Sequence, residues 1–64
     1  MTTSEAALVV SRALKVPLSA RDVDYIIRAW PVDELPPIQG GKRDWSAPHI
    51  ARLQAAVATR LGGR

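Results

Sequence analysis

The chain has 64 residues, no cysteine and a formal net charge of +3. That length admits one small domain, expected to span residues 1–64, and the missing cysteines exclude disulfides and thiolate zinc sites. A chain this short buries only about 60% of the surface its unfolded form exposes, so marginal stability is expected.

The first element opens at Thr2 with Glu5 three positions on, a capping-box pattern in which each side chain satisfies an orphan backbone N–H. Leu8, Val9, Ala13 and Leu14 follow as an apolar stripe at helical spacing, with Val10 beside it. Pro17 cannot continue a helix, so the first helix is predicted over residues 3–15. Ser19 and Asp22 repeat the capping pattern. Val23, Ile26, Ile27 and Trp30 then stand at i, i+3, i+4 and i+7, a buried stripe that predicts a second helix over residues 20–30, stopped by Pro31. Two short helices joined by "KVPL" form the skeleton of a helix-turn-helix.

Gly40-Gly41 sits between Leu35-Pro36-Pro37-Ile38-Gln39 and Lys42-Arg43-Asp44-Trp45. Adjacent glycines supply the positive φ angles of a two-residue hairpin turn, and the prolines suit an edge strand or its entrance. Ser46 is the expected cap of a third helix, with Pro48 in its first turn. Ile50, Leu53, Val57 and Leu61 form its stripe, and Gly62 and Gly63 are expected to end it. The fold class predicted is mainly α: a small winged helix-turn-helix of three helices, with a two-stranded β-hairpin wing between helices 2 and 3.

Charge is unevenly placed. Residues 1–34 hold four cations and five acids, whereas residues 35–64 hold five cations and one acid. A basic half that begins at the glycine turn fits a polyanionic partner. On the second helix, the face opposite the apolar stripe carries Arg21, Tyr25 and Arg28. Arginine reads guanine bidentately in the major groove, and a tyrosine hydroxyl reaches phosphate or base. Asp22 and Asp24 oppose phosphate unless occupied, Asp22 as a cap and Asp24 by pairing with Arg28. On the hairpin, strand alternation puts Arg43 with Trp45 on one side and Lys42 with Asp44 on the other. Lys42 is then the cleaner phosphate contact, with Arg43 partly turned inward. Both tryptophans are expected in the core.

The segment "ELPPIQGGKRDWSAPHIARLQ" resembles the winged helix-turn-helix of the MerR-like and phage-excisionase proteins. Leu35-Pro36-Pro37, Gly41, Arg43, Trp45, Ser46, Ile50, Arg52 and Leu53 fall on that family's pattern, and the resemblance covers roughly residues 17 to 57. The family usually has a glycine in the turn, where this chain has "KVPLS", and a second helix about one turn longer. The resemblance implies a sequence-specific binder of double-stranded DNA. With nothing after residue 61 for an effector domain, it implies an excisionase, or recombination directionality factor, that bends attachment-site DNA for an integrase and associates with itself cooperatively. A small phage repressor or Cro-like regulator is the alternative within DNA binding. A protein-interaction adaptor whose apolar first helix docks on a partner is the alternative outside it. The candidate DNA-contacting residues are Ser19, Arg21, Tyr25, Arg28, Lys42, Arg43 and His49.

Other function classes find little footing. His49 has no second ligand-type residue at metal spacing. Ser, His and Asp show no nucleophile–base–orienter arrangement, and no phosphate-cradling glycine loop precedes a helix. No enzyme activity, cofactor, metal or small-molecule ligand is expected. No apolar run reaches the roughly 18 to 20 residues that cross a bilayer. The amino-terminal stretch also lacks a basic region ahead of its apolar residues. The expected location is the cytoplasm of a bacterial or phage-infected cell.

Overall fold

In the computed structural model, which describes residues 1–62, the chain forms three helices and a hairpin. They run α1 (Thr3–Leu14), α2 (Ala20–Ile27), a 3-10 turn (Val32–Glu34), β1 (Ile38–Gln39), β2 (Lys42–Arg43) and α3 (Ala47–Gly62). The expected ending at Gly63 lies outside the described residues. Among the described residues no helix is long and apolar enough to cross a membrane.

Both capping boxes form. Thr2 Oγ1 accepts from the Glu5 N–H while the Thr2 N–H donates to Glu5 Oε1 at 2.8 Å, and Ser19 and Asp22 do the same at α2. The Thr2 and Ser19 backbone N–H groups hold the Glu5 and Asp22 carboxyls below their ordinary values. Helix α1 ends one residue before the expected boundary. Lys15 takes the left-handed conformation (φ +56°), and the Lys15 and Val16 N–H groups both turn back to the Ser11 carbonyl. That is a Schellman-type ending of the kind usually built with glycine, so the conformation of Lys15 stops the helix before Pro17 is reached. Helix α2 ends at Ile27, three residues short of the expected Trp30. The Ala29 and Trp30 N–H groups bond instead to the carbonyls of Ile26 and Ile27 in tighter turns.

The core is Ala6, Ala7, Val10, Val23, Ile26, Ile27, Trp30, Trp45, Leu53 and Val57, with Leu14, Ile50 and Ala56 packed around it. The α2 stripe is buried as predicted. The α1 stripe is buried only in part: Leu14 packs against the core and the adjoining Val10 is buried, but Leu8 is 50% and Val9 41% exposed, Ala13 is also exposed, and Ala6 and Ala7 face inward beside Val10. Alanines on the inner face let the α1 backbone approach α2 and α3 closely. Leu8 and Val9 lie about 100° or more around the helix from that face and cannot follow it. In α3, Leu53 and Val57 are buried but Leu61 is 42% exposed, because the stripe outruns the elements it packs against.

Ile38 pairs with Arg43 and Gln39 with Lys42 in antiparallel register around Gly40 (φ +58°) and Gly41 (φ +79°). Two consecutive positive φ angles define the primed turn that matches strand twist. Two-residue strands hold little on their own, so the hairpin leans on the body. Trp45 is buried edge-on against Trp30, with centroids 6.1 Å apart. Its indole N–H donates to Thr3 Oγ1 at 3.0 Å, and its backbone N–H donates to the Met1 carbonyl at 2.8 Å.

Candidate nucleic-acid interface

Helix α2 commits Val23, Ile26 and Ile27 to the core, so the rest of its circumference is free for other work. Arg21 and Tyr25 are exposed on that remainder, and together with Asp24 and the exposed C-cap residue Arg28 they line one groove. Arg28 and Asp24 also line an adjoining groove with Ile27, Val32, Leu35 and Arg43. Arg21, Tyr25, Arg28 and Arg43 therefore belong to one continuous surface running from the start of α2 to the hairpin.

Two features of that surface differ from the sequence expectation. Asp24 does not pair with Arg28: the ion pairs among the described residues are Arg52–Glu34 at 2.8 Å and the Met1 amino group with Asp44 at 3.2 Å. An unpaired carboxylate thus sits between the two α2 arginines and repels polyanions in its immediate surroundings. The second feature is an added cation. Arg60, in the last turn of α3, places its guanidinium 5.8 Å from the centre of the Tyr25 ring and shares a groove with Arg21 and Tyr25. Its position depends on how α3 passes α2, which no local pattern encodes.

Lys42 and Arg43 have different surroundings. Lys42 is exposed and lies with Arg43, Gln39, Asp44, Met1, Thr2 and Glu5 along a shallow groove on the other flank of the wing. Arg43 is half-buried, and its Nη1 donates to the Pro36 carbonyl at 2.9 Å. Part of its donor fork is spent inside the protein, and the remainder faces the α2 surface. Arg43 is the residue that joins the two flanks.

Ser19 and His49 are employed locally. The Ser19 hydroxyl and N–H both bond Asp22 Oδ2. His49 Nδ1 lies 3.2 Å from the Ser46 N–H and 2.7 Å from the Ser46 Oγ. A backbone N–H can only donate, so Nδ1 accepts and Nε2 is left as the ring's donor. His49 completes the start of α3 and shares no groove with the α2 arginines. Arg52 stacks over Trp30 at 4.7 Å while it holds Glu34, pinning the 3-10 turn to α3. Among the described residues no three carboxylate or imidazole groups converge as metal ligands would.

No family model, curated protein or solved structure matches this chain.

Proposed function

We propose that the protein binds double-stranded DNA, with α2 entering the major groove and the hairpin lying along the backbone as a wing. The observation that carries this reading is the continuity of Arg21, Tyr25, Arg28 and Arg43 on one exposed surface. Arginines on a helix face with no packing duty are suited to base edges. An exposed lysine beside an open glycine turn is suited to phosphate. Lys42 and Arg60 extend the positive periphery, His49 offers its Nε2–H as a hydrogen-bond donor, and Ser19 contributes by capping the helix that carries Arg21.

The narrower reading is an excisionase-like factor that bends attachment-site DNA, works with an integrase and binds cooperatively. It rests on the resemblance of the Glu34–Gln54 segment to that family. A small repressor would use the same face.

The test is a gel-shift titration at two salt concentrations with the DNA flanking the protein's own gene. Wild type is compared with an Arg21→Ala, Arg28→Ala variant and a Lys42→Ala variant. Salt-sensitive binding is expected, because each neutralised phosphate releases counterions. The α2 variant should lose about 100-fold in affinity, roughly 1 to 3 kcal/mol for each base-reading arginine. Lys42→Ala should weaken binding equally on all sequences and reduce the salt slope by about one. Binding indifferent to both variants would overturn the proposal.

A further inference from the structure

The outer face of α1 has a pattern that DNA binding does not use. Opposite the buried Ala6, Ala7 and Val10, the helix presents Glu5, Leu8, Val9 and Arg12, all exposed. At 100° per residue, Glu5 and Arg12 fall on nearly the same line along the helix, with Leu8 to one side and Val9 to the other. The pattern is self-complementary under a two-fold rotation. Its centre lies between Leu8 and Val9, and Glu5 and Arg12 are each about 5 Å from it along the axis. A second α1 laid antiparallel across this face sets Glu5 of each copy beside Arg12 of the other. The four apolar side chains then meet in the middle. Leu8, Val9 and Arg12 line none of the grooves that hold Arg21, Tyr25, Arg28 or Arg43.

We propose that this face is where two copies of the chain pair, α1 against α1, about a two-fold axis. The occupant is a second copy because the charges on the face complement the same face inverted, the condition an isologous interface requires. Two 12-residue helices meeting along one stripe cover much less than the roughly 1,200 to 2,000 Å² of a standard interface. The pairing is therefore weak in free solution, with a dissociation constant on the order of 100 μM. It leaves the α2 surfaces of both copies uncovered.

The experiment is sedimentation equilibrium of the free protein, without DNA, up to about 1 mM, well beyond micromolar dissociation constants. Wild type, Arg12→Glu and Leu8→Ser are compared, each checked for folding by thermal melting. Wild type should show a reversible monomer–dimer equilibrium. Arg12→Glu sets a carboxylate against Glu5 of the other copy, twice per dimer. It should weaken association at least about tenfold, because symmetry counts each change twice. Leu8→Ser should weaken it comparably while the fold persists. A wild type that stays monomeric throughout, or a dimer indifferent to both substitutions, overturns the proposal. Because no DNA is present, either result is independent of the gel-shift outcome.

Discussion

Helix α2 together with its C-cap residue Arg28 carries two cations, as does the hairpin, yet they are held differently. Arg21 on the helix and Arg28 at its end leave the packing to Val23, Ile26 and Ile27, so neither arginine has a structural partner among the described residues. In the hairpin the strands are two residues long, with Ile38, Gln39 and Lys42 exposed and Arg43 half-buried. Trp45 anchors the ribbon and Arg43 ties it to the Pro36 carbonyl, so of its two cations Lys42 alone is uncommitted. A helix separates packing from its exposed face by angle, whereas this ribbon gives one of its two cations to holding itself in place. Arg21 and Arg28 should therefore affect only binding, and Arg43 should affect stability as well.

The largest perturbation is Trp45→Ala. Loss of a buried tryptophan removes about 3 to 5 kcal/mol, comparable with the whole stability of a domain this size. Thermal melts should show it substantially unfolded at room temperature. Retention of a cooperative transition near the wild-type temperature would mean that the ribbon leans on the body far less than its contacts imply. Next comes Arg43→Ala beside Lys42→Ala. Arg43→Ala leaves the Pro36 carbonyl without its charged donor and should cost about 1 to 2 kcal/mol in denaturant titrations, whereas Lys42→Ala should fall within about 0.5 kcal/mol of wild type. Equal effects would erase the distinction between the two cations.

Asp24→Asn sharpens the other side of the comparison. It removes the unpaired negative charge between Arg21 and Arg28 and should tighten DNA binding several-fold at low salt without moving the melting temperature, a difference that fades as salt screens it. The smallest effect is that of acid. The Glu5 and Asp22 carboxyls are held below their ordinary values by the N–H groups of Thr2 and Ser19. Their stabilising contribution is complete above the ordinary carboxylate range and is lost as pH falls through the lowered values. Melting temperature should thus hold steady from neutral pH down to about 5 and decline below about 4. Glu5→Gln and Asp22→Asn, which remove the titrating carboxyls, should each flatten that decline.

Much of this was legible in the residues. The α2 stripe has a single apolar phase, so Val23, Ile26, Ile27 and Trp30 could only face one way. The glycine pair declared its turn, and the capping boxes are local chemistry between residues three apart. Helix α1 was harder because Leu8, Val9 and Val10 are consecutive, and three apolar neighbours leave the phase open. The small Ala6 and Ala7 settle it, since they allow the close approach that larger side chains prevent. The meeting of Arg60 with Tyr25 and of Arg52 with Trp30 was beyond local reading, because both depend on where α3 crosses α2. The inward hydrogen bond of Arg43 follows from strand alternation plus a carbonyl seven residues away, of which only the first is visible in the sequence.

The bond between the Trp45 indole and Thr3 joins residues 42 positions apart. The hydrogen bonds of helix α2 join residues close in sequence, but the wing is fastened by closing a loop through most of the chain, an entropic cost met before the contact returns anything. The wing should therefore assemble last in refolding. Thr3→Val, which deletes the acceptor, should raise the unfolding rate while leaving the refolding rate nearly unchanged. The ribbon beside α2 is in this sense the kinetic latch of the domain, closed by its own amino-terminal residues.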